Sequence, residues 1–184
     1  MSLSTNFYPH ENPKAAIQMI HGMCEHKGRY DIFAKELNAN GFSVFISDLR
    51  GHGKSILSEV DFGYFADKNG VDLLVQDQLR INEFIRQMYP EMPIYMFVHF
   101  MGSLIARNFI QKYDDKIEKL ILSGAPYYIK ETPIALKRSK WVTHFSGYKA
   151  HHPLVRSFAE CATVKNEVTQ METCTFIIIL IFSL

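Results

Sequence analysis

The chain has 184 residues, 47% hydrophobic and 13% aromatic, enough apolar material for one soluble domain with a sizeable core and too much for a disordered chain. Its 20 basic and 19 acidic residues are spread along the sequence and leave a formal charge of +1, which excludes a basic face for nucleic acid and an acidic tail. Cys24, Cys161 and Cys174 are odd in number and widely spaced, so reduced thiols in a cytoplasmic setting are expected rather than a disulfide framework.

Residues 1–14 are polar, with Pro9, His10, Glu11 and Pro13, and lack the apolar stretch of a signal peptide. Residues 17–21 form a short apolar run closed by Gly22, the pattern of a buried strand that stops at a loop over 23–28. From Tyr30 onward, Phe33, Ala34 and Leu37 fall at helical spacing, and Asn40-Gly41 supplies a helix stop. Residues 42–49 are β-branched and aromatic, a second buried strand. The loop Asp48-Leu49-Arg50-Gly51-His52-Gly53-Lys54-Ser55 follows, its two glycines permitting sharp turns. Leu74, Ile81, Phe84, Ile85 and Met88 mark one face of a long helix from about residue 71 to 89, ended by Pro90 and Pro93. A third strand is predicted over 94–99, a third helix over 103–113, and a fourth strand over 117–123 before Gly124-Ala125-Pro126. Strands that alternate with helices imply a parallel sheet covered on both faces, because a parallel connection must cross over. The expected spatial order is second, first, third, fourth. Residues 127–152 mix Lys130, Lys137, Arg138, Lys140 and Lys149 with Trp141, Phe145 and Tyr148; a solvated helix is favoured there over a membrane-facing cap. The apolar run 176–184 is far shorter than the ~20 residues that span a bilayer.

Ester hydrolysis by a serine enzyme needs its nucleophile on a tight strand-to-helix turn, flanked by small residues, which gives the pattern G-x-S-x-G. The third strand meets the third helix at Val98-His99-Phe100-Met101-Gly102, in the required place but with Val for the first Gly and Phe for the Ser. His21-Gly22-Met23-Cys24-Glu25-His26, then Arg29-Tyr30, then Asp48 to Ser55, then His99 and Met101-Gly102-Ser103, resemble in order and spacing the monoacylglycerol lipases and bacterial lysophospholipases. The resemblance covers roughly residues 8–125, and 127–164 more weakly. It implies a partial α/β-hydrolase fold, a mostly parallel sheet with helices on both faces and an incomplete cap. It also implies hydrolysis of a monoacylglycerol or lysophospholipid ester through an acyl-serine, with no cofactor. The implied partner is a small lipid ester or acyl chain, with peripheral membrane contact.

Carried over residue by residue, the resemblance makes the backbone N–H groups of Met23 and Met101 the oxyanion hole and puts Phe100 at the nucleophile position. His21, Gly22, Glu25, Arg50, His52, His99 and Gly102 then support the site. Two preorganised backbone donors stabilise a tetrahedral intermediate whatever side chains accompany them. Phe100 has no hydroxyl, and its ring is expected to fill the space for the acyl carbonyl; loss of a triad serine costs on the order of 10⁶ in turnover in subtilisin. Val98 is expected to crowd the turn, being β-branched where a glycine relieves contact. The family's carboxylate and histidine lie beyond the cap, on loops that the resemblance does not reach. Asp114, Asp115, His144, His151 and His152 are read as surface residues. Ser103 lacks the elbow setting, and Ser123 ends a strand with nothing in the local pattern to activate it.

Gly53-Lys54-Ser55 ends like a phosphate-binding loop, but Asp48 stands where the first glycine is required, so no nucleotide site is expected. His21, Cys24 and His26 have no second ligand pair at zinc spacing, so no metal is expected. Met88, Met92, Met96 and Met101 are core filler. Residues 1–126 are assigned to the core, 127–164 to a partial cap and 165–184 to a divergent apolar tail. The family's N-terminal hairpin is expected to be mostly absent. The outer edge of the fourth strand is expected to be bare, and the tail is favoured as shifted-frame read-through over an edge strand or an aggregating segment. The functional expectation is a catalytically inactive descendant of the family. Two alternatives stay open: a lipid-binding or regulatory pseudoenzyme, and an active esterase with sequence errors at Val98 and Phe100.

Overall fold

The computed structural model describes residues 2–126 and the backbone of residues 180–183. Strands β1 (Thr5–Tyr8), β2 (Ala15–Ile20), β3 (Phe42–Ser47), β4 (Ile94–His99), β5 (Lys119–Ser123) and β6 (Leu180–Ser183) form one sheet in the order β1-β3-β2-β4-β5-β6. The strands β3, β2, β4 and β5 are parallel, in the spatial order expected for the second, first, third and fourth strands. Both outer strands are antiparallel.

These outer strands correct one expectation and add one element. Residues 5–8, read as part of a polar leader, form a single strand paired with β3, and Phe7 stacks on Phe45 with ring centroids 4.3 Å apart. The edge of β5 is not bare: Lys119, Leu120, Ile121 and Leu122 pair with residues 183 to 180 of the tail, so this part of it is an edge strand. The expected cap, 127–164, and tail residues 165–179 lie outside the described residues, as do Cys161, Cys174, His144, His151 and His152.

Helix α1 (Asp31–Ala39) lies against one sheet face, where Ala34 joins Ile17, Met19, Val44 and Ile46. It stops at Gly41, whose φ of +93° suits the left-handed turn that closes a helix. Helices α2 (Gly70–Met88) and α3 (Met101–Tyr113) cover the other face. Leu74, Val75, Gln78, Ile81, Asn82 and Ile85 of α2 are buried at the spacing of one helical stripe. Ile105, Ala106 and Phe109 of α3 meet Ala16, Ile20, Phe45, Met96 and Val98 of the sheet. Within this apolar layer Gln18 of β2 donates to the Gln78 carbonyl at 2.9 Å and accepts from Asn82 at 3.2 Å, so its amide is paired where water is excluded. The carboxyl ends of β2, β3, β4 and β5 therefore release their loops on one edge of the sheet, the edge where open α/β sheets hold ligands.

Phe45 is fully buried and also meets Phe84 and Tyr89 edge-on. Replacing it with Ala removes these contacts and leaves a cavity, and chemical denaturation should show a loss of about 3 to 5 kcal/mol. A loss below about 1 kcal/mol would contradict this packing.

Candidate functional site

The chain leaves β2 through His21, which has no exposed surface. Its Nδ1–H donates to the Gly22 carbonyl at 2.8 Å and its Nε2 accepts from the Leu49 N–H at 2.9 Å, so a neutral imidazole ties the loop after β2 to the loop after β3. Burial holds the His21 imidazole below its usual pKa, against the opposing pull of the Gly22 carbonyl. Cys24 takes a φ of 57°, reversing the chain so that Glu25 folds back over Gly22. A Cβ on Gly22 would lie 2.6 Å from Glu25 Oε1 and 3.1 Å from Phe100 Cβ, which is why glycine stands there.

The turn from β4 into α3 passes through Phe100, with φ 45° and ψ −111°, a conformation that L side chains rarely adopt. This is the strained strand-to-helix geometry of an elbow, kept with an aromatic side chain in place. The Phe100 N–H donates to the Ser123 carbonyl at 3.0 Å, and the Phe100 carbonyl accepts from both the N–H and the hydroxyl of Ser103. Ser103 is thus buried and committed to the turn. Gly102 presses on the end of β2: a Cβ there would meet the Ile20 carbonyl at 2.6 Å. Val98 is fully buried in the core with Met96, Leu122 and the α3 residues Ile105 and Ala106.

Met23 follows the Gly22 turn and Met101 opens α3, and neither backbone N–H has a hydrogen-bond acceptor among the described residues. They follow Gly22 and Phe100, which lie close enough that a Cβ built on Gly22 would come within 3.1 Å of Phe100 Cβ. Arg50 makes a two-pronged ion pair with the buried carboxylate of Asp77 on α2, and His52 donates from Nδ1 to the Arg50 carbonyl at 2.9 Å while its ring stacks on Phe65. Asp114 and Asp115 lie exposed in the turn before β5, apart from this edge.

Sequence reasoning missed two groups. Lys27 is buried and paired with Asp48 at 2.6 Å, and the backbone N–H groups of Lys27 and Lys54 also donate to that carboxylate. Burial would raise the Asp48 carboxyl, but Lys27 and the two backbone donors outweigh it and hold it below the usual range. A Cβ on Gly53 would lie 2.4 Å from this carboxylate, so the turn that resembles the end of a phosphate loop closes on the chain's own Asp48. The second group is a chain of contacts from Tyr30 to Ser123. Burial and a hydrogen bond to Glu25 raise the Tyr30 hydroxyl pKa, Glu25 Oε1 is 3.6 Å from His99 Nε2, and His99 Nδ1 is 3.2 Å from Ser123 Oγ. The available signal was positional: His99 and Ser123 end adjacent parallel strands and are register partners. Among the described residues no group of three His, Cys, Asp or Glu side chains could hold a metal, and no helix is long and apolar enough to cross a membrane.

A family model described as serine aminopeptidase, S33, matches residues 11–171. The monoglyceride lipase of Rattus norvegicus is 31% identical over 155 residues, covering 84% of this chain and 40% of that protein. The monoglyceride lipase homolog of Monkeypox virus is 34% identical over 97 residues, covering 51% of this chain and 32% of that one. Among solved structures, a thermostable carboxyl esterase from Bacillus coagulans in complex with glycerol aligns with a TM-score of 0.70 at 28% identity, over 77% of this chain and 46% of the esterase. The chain spans less than half the length of these relatives.

The buried, neutral His21 sets a pH dependence. The unfolded chain binds a proton near pH ~6.5 while the folded chain resists it, so this contribution is complete above that pH and is lost as the pH falls below it. The unfolding midpoint should therefore decline below about pH 6.5, and His21→Gln should flatten that limb. The same slope in the variant would contradict the assignment. Separately, Gly102→Ala sets a methyl against the Ile20 carbonyl, and denaturant titration should show destabilisation of about 1 to 3 kcal/mol.

Proposed function

The chain belongs to the serine aminopeptidase S33 family of α/β-hydrolases, and on that premise we propose that it binds an acyl ester of the monoacylglycerol or lysophospholipid class without the family's elbow-serine turnover. The observation that carries this reading is Phe100 in the elbow conformation near the Gly22 turn, with the Met23 and Met101 N–H groups without protein acceptors among the described residues. Two backbone donors recognise a carbonyl oxygen whether or not a nucleophile follows. An aromatic ring beside them offers apolar contact to an acyl chain and no attacking atom.

The amide analogue of a long-chain monoacylglycerol keeps the carbonyl oxygen and resists cleavage, so calorimetric titration of the full chain with it reads recognition alone. Saturable binding is expected. Restoring the hydroxyl with Phe100→Ser, combined with Val98→Gly, should leave monoacylglycerol turnover within about tenfold of the unmodified chain, because a serine recovers the ~10⁶ of a triad only with a base set against it, and His99, the imidazole beside Phe100, already faces Ser123 and Glu25. Absence of saturable binding would overturn the lipid reading. A rise of 10³ or more in the variant would overturn the loss of the elbow machinery.

A further inference from the structure

We infer that Ser123, His99 and Glu25 form a second nucleophilic site beside the elbow, one that accepts an acyl group from an ester onto the Ser123 hydroxyl. Only the choice of acyl ester as substrate rests on the function proposed above; the reactivity rests on geometry. Strands β4 and β5 end side by side with His99 and Ser123 as register partners. The two-residue period of a strand turns both side chains away from the layer that holds Val98 and Leu122. There His99 Nδ1 lies 3.2 Å from Ser123 Oγ, and its other nitrogen faces the Glu25 carboxylate at 3.6 Å.

The carboxylate decides the tautomer. A negative charge opposite Nε2 favours a hydrogen on that nitrogen, which leaves the Nδ1 lone pair facing the serine hydroxyl; the opposite tautomer would set a lone pair against the carboxylate. Nucleophile, base and orienting acid then follow one another through the two ring nitrogens, the order that activates a serine. Exposure fits the roles: the His99 side chain is 35% exposed and open to a substrate, whereas that of Glu25 is 11% exposed and held by the Tyr30 hydroxyl. Gly124, at φ +56°, turns the chain sharply after Ser123. The Ser123 carbonyl accepts from the Phe100 N–H, so this serine is one hydrogen bond from the elbow.

In the reaction, Ser123 Oγ bonds to the ester carbonyl carbon while its proton passes to His99 Nδ1. The bond from that carbon to the alkoxy oxygen then breaks, and His99 returns the proton to the departing alcohol. The acyl-serine is released when water attacks it, the same imidazole taking the water's proton and giving it back to Oγ. Glu25 is a positioning residue, steadying the imidazolium from a distance longer than a hydrogen bond. Acylation at this site is accordingly slow, a capture step more than rapid turnover.

The test uses the full chain and a fluorophosphonate probe, with the adduct located by peptide mass spectrometry. One adduct is expected, on Ser123, and it should be absent in Ser123→Ala. His99→Gln keeps the hydroxyl and removes the base, so its labelling rate should fall by about 10²-fold or more. Glu25→Gln should lower the rate about tenfold and Glu25→Asp should recover part of it, a rescue that a merely structural role would not give. No adduct on the unmodified chain, an adduct elsewhere, or an unchanged Ser123 rate in His99→Gln would each overturn the inference. Labelling of the unmodified chain does not depend on any variant folding. Binding of the amide analogue without Ser123 labelling would sink this inference and leave the proposed function standing.

Discussion

The close approach of α3 to the end of β2 governs the geometry of the site. At Gly102 the two backbones leave no room for a Cβ, which would sit 2.6 Å from the Ile20 carbonyl and 2.9 Å from that of His21. With β4 paired to β2 on one side and α3 pressed on it from above, the chain must turn from strand to helix within one residue. That residue, Phe100, takes the strained conformation. Strain of this kind costs about 1 to 3 kcal/mol, and the burial of Val98, Ile105, Ala106 and Phe109 on either side offsets it. The elbow is therefore imposed by packing between main chains. It does not require a serine, which explains how a phenylalanine occupies it without the turn relaxing.

The parts of the fold legible in the sequence are those whose burial is two-sided or periodic. Residues of β2, β3 and β4 read as apolar runs because helices cover both faces, while the stripes of α1 and α2 were read only in part: Ala34, Leu74, Ile81 and Ile85 are buried, whereas Phe33, Phe84 and Met88 are exposed. β1 was illegible because Thr5-Asn6-Phe7-Tyr8 pairs on one side only and leaves Asn6, Phe7 and Tyr8 no more than half-buried, too short a pattern to separate from a polar leader. Helix α3 begins at Met101, earlier than its periodicity suggested, since its first turn is fixed by the elbow and by the Gly102 contact. In the site, His21, Gly22 and Gly102 could be singled out because they sit in short motifs, whereas what they face across the fold, the Leu49 N–H, Phe100 and the Ile20 carbonyl, could not be read from spacing. The pairings Lys27 with Asp48, Arg50 with Asp77, and Glu25 with His99 and Ser123 join separate loops and elements, and no local spacing encodes them.

Those cross-loop pairings share one consequence. Each ties a loop at the carboxyl edge of the sheet to another part of the chain: His21 joins the loops after β2 and β3, Asp48 gathers Lys27 and Lys54, and Arg50 reaches across to α2. Buried ion pairs contribute little net stability, because desolvation of both partners offsets their attraction. Their value lies in geometry, since a loop whose carbonyls and amides are each assigned a partner has few alternative arrangements. The Gly22 turn is held in this way from two sides, by His21 beneath and Glu25 above.

In the proposed reading, recognition and reactivity depend on different parts of the chain. Donors that belong to the backbone persist through substitution of any non-proline side chain, so the arrangement around Met23 and Met101 tolerates Phe100, whereas a nucleophile is one atom on one side chain and vanishes with it. The same distinction separates the elbow from Ser123. An elbow serine is thrust forward by a strained main chain, whereas Ser123 lies at the end of an ordinary parallel strand, and among the described residues its hydroxyl is oriented by the neighbouring His99. A reactive group placed by one side-chain contact is less preorganised than one placed by backbone packing, and the difference appears in rate before it appears in binding.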